Sequence, residues 1–219
     1  ADGVVNLVGA FAGDLDSLQG RGAGRIAAAA RAAGASAFVQ VSAIGADATS
    51  PVDYARTKAE GEAAVLAEFP AATIVRPSLL FGPHAKLQPA FVDDAAEAVA
   101  AALADPGSHG GKTFEIAGPE VITMLELHQR LAAAQGRERL FAELPDFVSG
   151  GFAALTGWLP GAPLTSDQWA LLKAGNVASG KLPGLKELGV TAHPLGLFLE
   201  RWMVRYRKHG RFGEKARAG

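Results

Sequence analysis

The stretch Phe38 to Lys58, FVQVSAIGADATSPVDYARTK, joins a buried-strand pattern to a tyrosine and a lysine four residues apart at the start of a helix. Phe38, Val39 and Val41 form a short apolar, β-rich run. Ser42 to Pro51 then supply the small and turn-forming residues that end a strand, with Asp53 or Ser50 placed to cap the next element. From about Val52 the pattern turns helical, and Tyr54, Lys58 and Glu62 fall at successive i, i+4 positions on one face. Tyr54 and Lys58 are therefore expected to point into one cleft.

A phenol has a pKa of about 10 and is a poor acid near neutrality unless something nearby favours its anion. An ammonium within about 4 Å, at an effective dielectric near 20, contributes on the order of 4 kcal/mol before desolvation, enough to move the phenol by a few units. Such a tyrosine exchanges a proton with an alcohol or carbonyl while the lysine holds a nucleotide ribose. The same spacing also fits a half-exposed helix whose tyrosine packs and whose lysine is solvated.

The 219 residues are 49% hydrophobic with a formal net charge of −1, which suits one large domain or one domain with a smaller appendage. The absence of cysteine excludes disulfides, thiolate metal sites and a cysteine nucleophile. No apolar run reaches the roughly 18 residues that span a bilayer, and the start carries no signal-peptide pattern. The opening ADGVVNLVG reads as the middle of a fold.

The order VSAIGA, YARTK and TIVRPSLLFGP resembles the short-chain dehydrogenase/reductase superfamily in its extended and atypical branches. The resemblance implies an α/β, Rossmann-type, doubly wound parallel sheet whose N-terminal βαβ units are missing here, with a smaller, mainly helical C-terminal domain. The expected division is residues 1–108 for nucleotide binding and 109–219 for the smaller domain. Val4 to Gly9 would be the fourth strand of the sheet, with Leu7, Val8 and Gly9 along the adenosine side of the cofactor. Val41, Ser42, Tyr54 and Lys58 would come next, and backbone around Pro77, Ser78 and Leu79 would reach the carboxamide end.

The glycines of Gly20-Arg-Gly22-Ala-Gly24-Arg25 are not a dinucleotide fingerprint, because position 25 is arginine and no buried strand leads in. They read as the first turn of a helix ended by Gly34, with small residues for close packing. Relatives carry a longer segment before a stretch like Gln88-Pro89-Ala90-Phe91-Val92-Asp93-Asp94, so a break or deletion is expected between Gly82 and Gln88. Asp93 and Asp94 suit the positive end of a helix running to Ala104, and no ligand cluster accompanies them to suggest a metal. Lys112 to Ala117 reads as a strand of the smaller domain, and Thr123 with Glu126 as the capping box of a helix to about Gln135. Short helices with aromatic anchors are expected around Trp158 and Trp169.

LTSDQWALLKAGNV at 164–177, LKELGV at 185–190 and the final RWMVRYRKHGRF are similar to the branch containing the nucleotide-binding accessory subunit of respiratory complex I (NADH:ubiquinone oxidoreductase) and its bacterial relatives. That branch implies NADPH or NAD(H) held as a structural ligand, complex I subunits as partners, and the cytoplasmic face of a bacterial inner membrane or the matrix side of the mitochondrial one. Residues 201–219 hold seven Lys or Arg and one Glu, a local +6, leaving −7 on the other 200. Such a tail beside Trp202, Met203 and Tyr206 suits an anionic membrane surface, an acidic partner or plain solvent. No nucleic-acid motif accompanies it.

Active extended members place a Ser or Thr two residues beyond the first serine of the strand-end run. With Ser42 as that first serine, the position holds Ile44, which donates no hydrogen bond. The broader superfamily still implies an alternative: an NAD(P)-dependent epimerase, dehydratase or reductase acting on a nucleotide sugar or similar carbonyl compound. In that case Tyr54 is the general acid/base, Lys58 lowers its pKa and Ser42 positions substrate.

Overall fold

The computed structural model describes residues 2–78, 86–141, 148, 150–151, 155, 170–171 and 175–207. Four parallel strands form its sheet: β1 (Gly3–Asn6), β2 (Ala37–Val41), β3 (Thr73–Pro77) and β5 (Thr113–Ile116), side by side in that order. The alternation within each strand sets the layers. Phe38 and Ile74 face one side with Ala23, Ala27, Ala30 and Val65, while Val39 and Val75 face the other with Ala98, Ala102, Phe114 and Ile116. Helices α1 (Arg21–Ala32) and α2 (Asp53–Glu68) cover the first face, and α3 (Val92–Ala104) covers the second. Phe38, Ile74, Phe114 and Ile116 are all fully buried, each contributing roughly 1.5–3 kcal/mol.

The glycines before and within α1 serve packing, as their sequence context suggested. A Cβ on Gly24 would meet the Ala64 Cβ at 2.9 Å, and one on Gly61 would stand 2.1 Å from the Gln19 carbonyl oxygen. A single π-type turn at Asp16–Gly20 leads into α1, so this corner holds a helix entry and no phosphate loop. Gly34, at φ +76°, reverses the chain after α1.

Several boundaries differ from expectation. The strand expected at Lys112 to Ala117 does not belong to a separate smaller domain. It is β5, in register with β3 through Val75↔Phe114 and Arg76↔Glu115, so the sheet crosses the expected boundary at residue 108. Arg76 and Pro77 lie inside β3, and β1, expected to run from Val4 to Gly9, ends at Asn6, placing Leu7 to Gly9 outside the strand. Neither Ser50 nor Asp53 caps α2: its N-cap is Val52, with Ser50 Oγ accepting from the Val52 N–H and Asp53 pairing with Arg56.

Asp93 and Asp94 occupy the first turn of α3 without capping it. Asp94 is buried and accepts from the backbone N–H of His193 at 2.7 Å, with His193 Nδ1 also 2.7 Å away. A partner 99 residues distant takes the carboxylate from the helix end. That clasp, and Leu185, Leu188 and Val190 packed on the α3 side of the sheet, fasten the C-terminal segment to the main layer.

A one-turn α4 (Pro106–His109) precedes β5. Elsewhere β4 (Lys86–Leu87) and β6 (Ile122–Thr123) pair antiparallel, and α5 (Met124–Ala134) leaves directly from β6. Thr123 and Glu126 form the reciprocal capping box read from the sequence. α5 buries Met124 and Leu127 and packs near α6 (Gly196–Met203). Of the break expected between Gly82 and Gln88, residues 83–85 lie outside the described residues, as do Trp158 and Trp169. No helix among the described residues is long and apolar enough to cross a membrane.

Candidate functional site

Helix α2 begins directly after the turn that leaves β2, which places its first two turns over the C-terminal ends of β1 and β2. Lys58 is buried, with Nζ donating to the Val8 carbonyl at 3.2 Å and, more weakly, to that of Val41 at 3.4 Å. Gly9 makes this possible, because a Cβ there would lie only 3.0 Å from Nζ. Burial pulls the ammonium below the ordinary lysine range, while the Glu62 carboxylate one turn on opposes that shift.

A buried polar floor holds the Val8–Ala10 segment in place. Asn6 donates to the Gln40 side chain at 2.8 Å and accepts from the Val8 N–H; Gln19 donates to Thr57 at 2.8 Å and accepts from the Ala10 N–H. Asn6, Gln19, Gln40 and Thr57 are all nearly inaccessible, so each is satisfied by another polar group. Sequence reading missed this set, although polar Asn6 and Gln40 inside apolar strands were the available signal.

Tyr54 is placed differently from its helix neighbour. Its ring stacks on Phe11 with centroids 4.7 Å apart and planes 12° apart. Burial pushes the phenol up to about 12. The expected depression by Lys58 is therefore overturned: the amine is turned to two backbone carbonyls, and loss of solvent governs the phenol.

Ser42, just past β2, has a buried Oγ without a hydrogen-bond partner among the described residues, while its N–H donates to the Val75 carbonyl. Ile44, where a hydroxyl was expected to be lost, lines the cleft as a buried side chain. Leu7 and Val8 are 70% and 40% exposed beside β1, an edge strand of the described sheet. The expected carboxamide contacts are not free as drawn from the sequence. The Pro77 carbonyl accepts from Ile44, the Ser78 N–H donates to Ile116, and Ser78 Oγ accepts from Ala90; Leu79 lies outside the described residues.

A cleft of about 750 Å³ opens on the Tyr54 side, between the ends of β2, β3 and β5 and the segment around Asn176 to Ser179. Arg76 and Glu115 reach it from adjacent strands. Arg76 forms a bidentate pair with Glu62 at 2.8 and 2.6 Å, which raises the guanidinium pKa, and Glu115 accepts from Ser179. These two were not read as site residues, because their partners are 14 and 64 positions away. Among the described residues no group of three or more His, Cys, Asp or Glu is placed to hold a metal.

No family model matches the chain. It is 30% identical over 206 residues to the Arabidopsis thaliana protein named NADH dehydrogenase (ubiquinone) 1 alpha subcomplex subunit 9, mitochondrial, covering 79% of this chain and 51% of that one. The Rattus norvegicus protein of the same name is 31% identical over 197 residues, covering 78% and 52%. The chain thus spans about half the length of these relatives. Its fold is shared with a nucleoside-diphosphate-sugar epimerase of Staphylococcus aureus, at TM-score 0.70 and 17% identity over 91% of this chain and 76% of that one. An NADPH-dependent quinone oxidoreductase of Escherichia coli, solved with NADPH, superposes at TM-score 0.69 and 19% identity, covering 92% and 76%.

Proposed function

We propose that this chain, a relative of complex I subunit 9 on the fold of the extended short-chain dehydrogenases/reductases, supplies part of an NAD(P)H site in an accessory subunit of respiratory complex I. The nucleotide is held there as a ligand and is not turned over. One observation carries this reading: Lys58 binds the carbonyls of Val8 and Val41 while Tyr54, four residues away, is a phenol pushed up to about 12 by burial. A pair tuned for proton transfer needs the amine to favour the phenolate, whereas this pair is arranged to grip.

The residues fit a nicotinamide ribose. An ammonium has three donors, and two directed at carbonyls leave one for a sugar hydroxyl. Ser42 Oγ, without a partner among the described residues, supplies a second contact, the Tyr54 hydroxyl a third, and the missing side chain at Gly9 keeps the approach open. A reduced nicotinamide bound here carries a hydride donor, but Ile44 offers no hydroxyl to orient an acceptor. Retention without turnover has its own benefit: a ligand that binds only the folded state stabilises it by about 2.7 kcal/mol at one hundred times its dissociation constant.

Docking on complex I at a membrane surface completes the reading. Leu197, Trp202 and Tyr206 are 62%, 41% and 54% exposed, and the basic sequence from Arg201 onward favours an anionic surface. The site is then on the matrix side of the mitochondrial inner membrane or the cytoplasmic face of a bacterial one. The second reading, an NAD(P)-dependent epimerase, dehydratase or reductase, is favoured by the cleft beside Tyr54. Purification separates the two. Co-purification with complex I subunits and one unconsumed reduced nucleotide per chain is expected. A free protein that consumes the nucleotide with a carbonyl substrate, and loses this in Tyr54→Phe while keeping cofactor affinity, would establish the enzyme.

A further inference from the structure

Glu62 is buried one helical turn beyond Lys58, on the same face of α2. Both of its oxygens accept from Arg76, Oε1 at 2.8 Å and Oε2 at 2.6 Å, which fixes the plane of the carboxylate. Glu115 on β5 is the register partner of Arg76 and acts on the same guanidinium. Glu115 is held in turn, its Oε2 accepting from the N–H and Oγ of Ser179 at 2.6 and 2.8 Å. The side chains of Glu62 and Arg76 are 9% and 21% exposed, so water screens this pair far less than the surface pairs of Arg31 and Arg56.

Lys58 needs such a neighbour to keep its proton. Burial works against its charge, and the Val8 and Val41 carbonyls that it faces are neutral. An uncharged amine still has two N–H groups for those carbonyls; only the ammonium has a third donor for a sugar hydroxyl. On its own helix, Tyr54 is a neutral phenol, and Asp53 and Glu60 pair with Arg56. The segment from Val8 to Ala10 has no ionisable side chain, β2 and the residue after it bring Gln40 and Ser42, and the π-type turn brings Gln19. Asp16 on that turn is paired with Arg21, and α1 turns Arg21, Arg25 and Arg31 to solvent. Among the described residues Glu62 is the anion that acts on Lys58.

We propose that Glu62, oriented by Arg76, is the positioning residue that keeps Lys58 charged, and that Lys58 grips a nucleotide into the alkaline range only while Glu62 is in place. This deepens the nucleotide reading and rests on it for the ligand, but not for the charge of Lys58.

The test has two readouts on the full chain. One is the pH titration of Lys58 without nucleotide, followed by NMR of its Cε in protein with carbon-13 lysine and assigned by its loss in Lys58→Met. The other is fluorescence titration with NADPH between about pH 7 and 9.5, above the range in which a phosphate monoester titrates. Arg76→Met leaves Glu62 alone with Lys58 and is expected to raise the Lys58 midpoint. Glu62→Gln leaves Arg76 alone and lowers it furthest. Glu62→Gln combined with Arg76→Met removes both charges, and its midpoint falls about one pH unit or more below that of the unaltered protein. Above that midpoint the double variant loses NADPH affinity about tenfold per pH unit, while the unaltered protein holds its affinity to a higher pH. If Glu62→Gln alone does not fold, Arg76→Met and the double variant decide. The same Lys58 midpoint in the double variant and the unaltered protein overturns the proposal, as does a midpoint that falls in Arg76→Met. A moved midpoint with unchanged pH profiles of NADPH affinity overturns it too. Failure of the unaltered protein to bind NADPH ends the nucleotide reading, while the Lys58 titration still decides whether Glu62 sets its charge.

Discussion

Lys58 and Tyr54 are one helical turn apart, yet they belong to two unlike regions. Around Lys58 the strand ends are closed: its amine meets two carbonyls, Gly9 gives it room, and Asn6, Gln19, Gln40 and Thr57 satisfy one another beneath. Around Tyr54 the wall opens into a cleft of about 750 Å³ under an exposed Phe11. Helix periodicity places two side chains on one face, but the surroundings decide what each does. Here one residue became a structural clamp with a donor to spare, and the other a buried phenol facing a cavity.

The strongest way to break that contrast is at the pair between the regions. Glu62→Ala leaves the largely buried Arg76 guanidinium without its bidentate partner, only Glu115 still acting on it, and is expected to lower stability by about 3 kcal/mol in urea denaturation. Glu62→Gln combined with Arg76→Met should recover most of that loss. Unchanged stability in the single variant would mean the pair is not what joins α2 to β3.

Lys58→Met tests the closed region itself. It deletes a charged donor to Val8 and Val41, and nucleotide affinity is expected to fall by about 2 kcal/mol, more than tenfold. Fluorescence titration with NADPH reads this, and undiminished affinity would remove Lys58 from the site. Tyr54 sharpens the other side. In a Tyr206→Phe background, ultraviolet titration should show the remaining phenol ionising near 12. Because its folded pKa lies above the unfolded value of about 10, the neutral phenol's contribution to stability is complete below about pH 10 and is lost as pH rises toward 12. Ionisation at the ordinary value would show that Phe11 and the helix do not shield it.

The smallest effects separate binding from folding. Ser42→Ala removes a buried hydroxyl that has no partner among the described residues, so the free protein should be unchanged or about 1 kcal/mol more stable while nucleotide affinity drops. Thr123→Ala does the reverse, costing about 1 kcal/mol through the lost cap and leaving nucleotide affinity intact. If both variants altered affinity alike, the contrast between the two regions would not hold.

The features legible in the chain are those whose residues lie close along it. Strand β2, the turn after it, α2 with Tyr54 and Lys58 on one face, and the Thr123–Glu126 cap each rest on residues within a few positions of one another. The inclusion of β5 in the sheet, the Asp94–His193 clasp and the Glu62–Arg76 pair join distant segments, and no local pattern encodes them. The direction of the Lys58 amine is hidden from sequence for the same reason. Its carbonyl partner at Val8 lies 50 residues away, and that contact leaves burial to govern Tyr54.

The central claim is that this site holds a reduced nucleotide without using it. The direct measurement tracks the nicotinamide absorbance of the protein purified with its partners and loaded with one equivalent of NADPH, while carbonyl compounds and nucleotide sugars are added in turn. The account predicts a bound signal that stays constant and is released intact on denaturation. Oxidation of the nucleotide coupled to reduction of an added carbonyl, lost in Tyr54→Phe, would contradict it.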